Sequence, residues 1–436
     1  MKLLIWIEPI YIRDSKVTFA WIADRFVSAL TALMQTNVTQ AQHVKIFCNR
    51  ATAEHIQADE NLMRQGILLP TSEEEMRLEK AFPLWHTEGY ARWAMHMEGK
   101  DEYSEGYLSM LERVWNDFPF DAILHWGTSR FIKQFAQERK IVPLFAELGP
   151  IRPPFLSTGV VDGFGVNGDS CFADGKMEVL GASVVPQALR YPPFSARSAG
   201  ERERYILFPL QTQDDANILV HNGGKDYVHQ ILDAAERATS LGWRCLVKPH
   251  PGAALSKYNY DADQDFFKKL RMIPGIEFLS ANIDPGNYRS LLEKAAGIVT
   301  FNSSVGCEAS LLGTPTHVIA RAGYAPPGRF ADLDHVLSGI EPDDSWLSQM
   351  SDIHETILNR YLLPIDRVFD LHHMFKVAIF WRDKLFPSST APMVETLGLF
   401  STLKTNILRK RLPRQVGSTA APNHLSPLGL ELTADS

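Results

Sequence analysis

Short apolar runs alternate along the chain with stretches whose apolar positions recur at helical spacing, the pattern of an α/β protein with parallel sheets. In the first half, Leu3–Ile7, Val44–Cys48, Ala122–Trp126 and Val142–Ala146 predict strands, and helical periodicity covers Thr18–Gln35, Ser72–Lys80 and the acidic segment Tyr90–Asn116. In the second half, Tyr205–Leu210, Arg244–Lys248, Ile276–Leu279, Gly297–Phe301 and Thr316–Ala320 predict strands with helices between them. Residues 184–204 separate the halves and are dense in Pro, Arg and Ser, which predicts a linker. The expected division is an N-terminal α/β domain over 1–195 and a second over 200–375. A basic amphipathic helical segment over 376–412 and a flexible tail over 413–436 follow. That basic segment suits either an anionic membrane surface or packing on its own domain with a solvated basic face.

Composition narrows the function classes. With 436 residues, 45% of them hydrophobic, the chain can bury a full core, and a net charge of −7 excludes bulk nucleic-acid binding. Cys48, Cys171, Cys245 and Cys307 are scattered, without the pairing or companion histidines of a zinc site, and read as reduced thiols of a cytosolic protein. The N-terminal run lacks a signal-peptide cleavage pattern, and no apolar run reaches the roughly 18 residues that span a bilayer.

Two α/β halves place a ligand outside the carboxyl ends of their strands. Four strand ends carry unusual chemistry. Glu147 follows the fourth run in FAELGPIRP, and the carboxylate pair Asp214 and Asp215 lies in QTQDDAN beside Gln211. His250 follows Lys248 in KPHPG, and Asn302, Ser303 and Ser304 open a helix in FNSSVGCEASLLGTP. The small polar residues of the last motif can cap the helix, or with its N–H groups hold an anion. The acids can likewise be caps, His250 a turn residue, and Arg152 a surface partner of Glu147. Read as chemistry, one carboxylate serves as nucleophile, another as acid or base, and His and Arg offset phosphate charge.

Two other motifs lack their context. GFGVNG, residues 163–168, matches a dinucleotide fingerprint but precedes DSCFADG rather than a helix. The Asp261 to Asp263 DAD sits in a polar run with no strand before it and reads as a solvated loop.

ELGPIRP, GFGVNGDS, LQTQDDANI, KPHPG and FNSSVGCEASLLGTP, in that order between Phe145 and Pro315, resemble the signature segments of bacterial retaining β-Kdo transferases. These enzymes of capsule and lipopolysaccharide O-antigen synthesis move the acidic sugar Kdo from CMP-Kdo. Asn217 departs from the more usual Gln or Ser, and Leu148 and Pro150 fit loosely. The resemblance implies a GT-B-like α/β fold of two Rossmann-like domains with parallel sheets facing across a cleft and C-terminal helices packing back. It implies that Asp215, or failing it Asp214, forms a covalent glycosyl-enzyme, with Glu147 as acid/base for the acceptor hydroxyl. Arg152 and Asn167 would shape the sugar pocket, and Gln211 belongs to the same site. Lys248 and His250 would meet the CMP phosphate, Ser303 and Ser304 with Asn302 that phosphate or the Kdo carboxylate, and Glu308 the ribose.

The implied partners are CMP-Kdo and a saccharide or lipid-linked saccharide acceptor, with no metal or other cofactor and no nucleic acid. Peripheral contact with the cytoplasmic face of the inner membrane goes with this role. His125, Trp126 and Arg130 in LHWGTSRF are acceptor-side candidates. The alternatives are a GT-B transferase for nucleotide-diphosphate sugars or CMP-glycerol, and a degenerate, non-catalytic scaffold.

Overall fold

A computed structural model describes residues 1–10, 15–57, 60–100, 104–180, 202–254, 260–340 and 343–387. Its strands are β1 (Leu3–Trp6), β2 (Val44–Phe47), β3 (Ile67–Leu68), β4 (Ala122–Trp126), β5 (Val142–Leu148), β6 (Thr158–Asp162), β7 (Glu203–Pro209), β8 (Arg244–Lys248), β9 (Ile276–Phe278), β10 (Ala295–Thr300), β11 (Thr316–Val318) and β12 (Leu363–Pro364). They form two sheets, in the orders β12-β6-β5-β4-β1-β2-β3 and β11-β10-β7-β8-β9. The second is parallel throughout, and in the first only β6 runs against its neighbours. Two Rossmann-like α/β halves in one chain give the GT-B-like fold expected from the sequence.

The strands read as unbroken apolar runs because helices cover both faces of each sheet. All four residues of β1 and all five of β4 are buried. Trp6 stacks on Phe47 across the β1–β2 pair, with ring centroids 4.2 Å apart.

The C-terminal return is part of the first half. β12 pairs with β6, and the Leu371–Leu385 helix buries Met374, Phe375, Val377, Ala378 and Trp381. The Trp381 indole donates to the Val161 carbonyl at 3.2 Å and packs against Gly163 so closely that a side chain there would strike it. Residues 376–385 therefore continue a packed helix rather than opening a separate basic segment. Residues 388–436, with the rest of that segment and the tail, lie outside the described residues, as does most of the expected linker; Glu203 and Arg204 already belong to β7.

Two other expectations are corrected. Tyr90–Asn116 is not one helix: Ser72–Met97 is continuous, started by a Thr71–Glu74 capping box, and Ser104–Asp117 is a second helix. The DAD motif is not a solvated loop. It opens the Tyr260–Arg271 helix, and Asp263 is buried, accepting from Gln213 Nε2 at 3.2 Å.

Candidate active site

The strand order explains how residues distant in sequence converge. β10, β7 and β8 are adjacent and parallel, so their carboxyl ends set Asn302–Ser304, Gln211–Asp215 and Pro249–Gly252 side by side. Glu147 comes to this edge from β5 of the other sheet. The halves are tied where Arg152 N–H, after β5, donates to Glu308 Oε1 at 3.0 Å. Arg321, after β11, donates to Gly168 O at 2.8 Å and pairs with Asp174.

Glu147 is strongly perturbed. Burial pushes its carboxyl up to about 7, against the pull of the Leu148 N–H, Arg152 and the Trp126 indole; the negative charge of Asp215 pushes it further. Its Oε1 accepts from Leu148 N–H at 2.8 Å. Arg152 makes no close ion pair with it among the described contacts: the exposed guanidinium donates to Gly149 O at 3.4 Å and acts on Glu147 through space.

Asp215 is held from two sides. It caps the short Ala216–Val220 helix through Asn217 N–H at 2.8 Å, and its other oxygen lies 3.4 Å from Gln211 Nε2. Capping and site placement are thus one arrangement. Asp214 is more buried and acts on Asp263, which burial raises to about 6, whereas Asp215 acts on Glu147.

Gln211 and Asn302 are supports rather than open ligand groups. Gln211 Nε2 donates to Asn302 Oδ1 at 3.1 Å, Asn302 N–H donates back to Gln211 Oε1 at 3.4 Å, and Asn302 Nδ2 donates to the carbonyls of Asn217 and Arg321. Both side chains are buried, and their mutual bonds satisfy groups that would otherwise be costly to leave unpaired.

His250 is oriented by its own turn. Gly252 N–H donates to His250 Nδ1 at 3.0 Å, so the ring proton of the neutral form sits on Nε2. Burial lowers its pKa, partly opposed by Asp215. Lys248 is also lowered by burial, and its ammonium lies 5.9 Å from the centre of the Tyr288 ring.

Glu308 is buried, with Oε1 on the Arg152 N–H and Oε2 on the Tyr288 hydroxyl, and burial raises its carboxyl to about 7. Its first task in this structure is to join the halves.

The helix after β10 is capped from Ser303 rather than from its N-cap Ser304. Val305–Leu311 is only seven residues long, and Ser304, at its N-cap, makes no side-chain cap bond. The N–H groups of Gly306, Cys307 and Glu308 already donate to the carbonyls of Ser303 and Ser304, and Val305 N–H lies 3.4 Å from Ser303 Oγ. What this turn offers an anion is hydroxyl groups more than a row of free N–H donors.

Asn167 adopts φ +56° in the GFGVNG loop, which leads into a three-residue 3-10 turn rather than an α-helix, and its backbone packs against Gly323 of the other half. The loop is held from below by Asp162, which accepts from Phe164 N–H, Cys171 N–H and the Tyr361 hydroxyl.

Sequence reading missed Tyr288, Asp162, Arg321 and His221. The buried His221 ring lies 3.5 Å from Thr128 Oγ1 and 3.8 Å from Asp169, where the halves meet, and burial lowers it to about 4. Asp162 alone carried a signal, as an acid ending an apolar run before a Gly-rich turn. Of the acceptor-side candidates, His125 is buried against Trp6 O with its pKa lowered by burial, Trp126 lies beside Glu147, and Arg130 starts a helix.

The carboxyl edges of the two sheets come together at these residues, and sequence comparison bears on the half that carries most of them. Residues 178–335 match the capsule polysaccharide biosynthesis protein family. That stretch contains LQTQDDANI, KPHPG and FNSSVGCEASLLGTP, three of the motifs that carry the resemblance. Comparison with curated proteins finds no match. Among solved structures, similar chains include two Thermosulfurimonas dismutans KpsC structures. One is described as a β-Kdo 2,7 transferase (17% identity, TM-score 0.32) and the other as a β-Kdo 2,4 transferase (18% identity, TM-score 0.34). Each alignment covers 53% of this chain and 79% of the other. A UDP-GlcNAc 2-epimerase from Methanocaldococcus jannaschii aligns over 87% of this chain and 100% of its own, at 12% identity and TM-score 0.31.

Proposed function

We propose that the protein is a retaining β-Kdo transferase of capsule or related surface polysaccharide synthesis, using CMP-Kdo as donor and Asp215 as nucleophile. The observation that carries this reading is that Glu147, from one sheet, lies close enough to Asp215, from the other, for the Asp215 charge to act on it. The ordered motifs supply the sugar, and the match over residues 178–335 supports the polysaccharide setting.

In the first step an Asp215 carboxylate oxygen bonds to the anomeric carbon of Kdo as the bond to the CMP phosphate oxygen breaks. CMP leaves as a phosphate monoester and needs no proton from the enzyme. Lys248 and Arg152 lie near enough to His250 to act on it through space, and in this reading the three offset the charge of the leaving phosphate in place of a metal ion. In the second step the acceptor hydroxyl attacks the opposite face, releases Asp215 and gives its proton to Glu147. A carboxyl raised to about 7 suits a base that must accept a proton near neutrality. Of the two acids, Asp215 is favoured because its charge acts on both Glu147 and His250, whereas Asp214 acts on His250 and Asp263. Membrane contact and a lipid-linked acceptor belong to the same proposal.

Donor hydrolysis tests the choice. CMP release from CMP-Kdo, without turnover of UDP-sugars or CMP-glycerol, is the expected result; the reverse preference refutes the Kdo assignment.

A further inference from the structure

A second feature at the same sheet edge is unused by the donor chemistry. Trp126 ends β4, and its partner in register on β5 is Ala146, which places it next to Glu147. Its indole sits at the margin of the core. It is stacked on Phe369 (centroids 5.8 Å apart, 15° between planes) and meets Trp21 edge-on at 5.1 Å and 79°.

Trp21 lies in the first turn of the Ala20–Thr36 helix, which follows β1 and so begins at the carboxyl edge of the first sheet. Trp126 and Phe369 are 7% and 6% exposed, but Trp21 is 37% exposed. It is the outer member of an aromatic row that leads from Glu147 to solvent. Arg25, one helical turn on, lies 4.9 Å from the centre of the Phe369 ring and pairs with Asp366 at 3.3 Å, bordering the row with groups that can exchange hydrogen bonds. The residues that this helix buries are Ala20, Ile22, Ala23, Phe26, Val27, Leu30 and Leu33, and Trp21 is not among them.

From this juxtaposition we infer that Trp21, backed by Trp126 and Phe369, is the platform on which the acceptor saccharide stacks, with its reacting hydroxyl directed toward Glu147. A pyranose ring has a C–H face that packs on an indole and a rim of hydroxyls that suits charged neighbours such as Arg25 and Asp366. The inference rests on the transferase reading for its chemistry, but the platform can be examined without a donor.

The test has two arms. In the first, saturation-transfer NMR is recorded on the donor-free protein with the methyl glycosides of Kdo, N-acetylglucosamine and galactose as probes. At least one glycoside should receive saturation on its ring protons from the parent. Trp21→Ala should lose most of that signal, Trp21→Phe should retain it, and Met272→Ala, at an 82% exposed residue elsewhere, should not change it. In the second, transfer from CMP-Kdo to the bound glycoside is measured, and Trp21→Ala should raise the acceptor KM about fivefold or more, with Trp21→Phe restoring most of it. Undiminished binding and KM in Trp21→Ala, or no glycoside binding by the parent, overturns the platform. Trp21-dependent binding by a parent that does not release CMP from CMP-Kdo upholds the platform and refutes the transferase reading instead.

Discussion

Glu147 concentrates the chemistry of the proposal in one titration. Its folded-state pKa of about 7 lies above the ordinary 4.5, so between those values the native chain holds a proton that the unfolded chain has released. Stability therefore falls as pH rises through that window. Glu147→Gln removes the buried charge and should gain thermal stability over the parent at about pH 8, a gain that vanishes at about pH 4. Activity should run the other way, because a base must be deprotonated: transfer should decline as pH drops through about 7, and Glu147→Gln should lack that acidic limb along with the activity. Asn302 gives a contrasting prediction. Replacing it with Ala removes the Oδ1 acceptor of Gln211 Nε2 and the Nδ2 donor to the carbonyls of Asn217 and Arg321, and thermal denaturation should show a loss of about 1–3 kcal/mol. Glu147, Asp215 and His250 were legible in the sequence because each follows an apolar run that can only be a buried strand. Tyr288 and Trp21 were not, since an aromatic on a helix looks the same whether it packs, orients a carboxylate or faces a ligand.

At the scale of single elements, the turn from β10 into the Val305–Leu311 helix shows how tightly the site is built. Tyr324 donates to Ser303 O at 2.6 Å, and a Cβ at Gly306 would run into the same hydroxyl and into Thr300. Gly306→Ala should cost about 1–3 kcal/mol by overpacking, and combining it with Tyr324→Phe should cost less than the sum of the two, read from thermal denaturation. The Gly of NSSVG is thus a packing requirement, and it sits where the sequence suggested an anion cradle. The strands that periodicity identified, such as β4 and β8, are those with unbroken apolar runs between turn signals. β3 and β12 were invisible because two residues cannot show a period, and β6 because its antiparallel pairing depends on β5 rather than on its own pattern.

For the molecule as a whole, the C-terminal return decides whether the first half is complete. A chain ended after residue 362 loses β12 and the helix that buries Trp381, exposing the edge of β6 and the apolar seat of the indole. It should lose cooperative unfolding in denaturant, whereas a chain ended after Pro387 should keep it, because Met1–Pro387 forms one compact unit. Trp381→Ala in the full chain should cost about 3–5 kcal/mol. This return could not be foreseen from local pattern, since helical periodicity near residue 376 does not say which sheet the helix covers. The division into two α/β halves could, because the apolar runs stop and restart on either side of the Pro- and Arg-rich segment. The central claim is that the two halves bring a nucleophile and a base to one sugar. Intact-mass spectrometry after incubation with CMP-Kdo tests it most directly: the parent should carry one covalently bound Kdo, Glu147→Ala should accumulate more of it, and Asp215→Ala should carry none. An adduct that persists in Asp215→Ala, or a parent that turns over CMP-Kdo while Glu147→Ala never accumulates an adduct, would contradict the account.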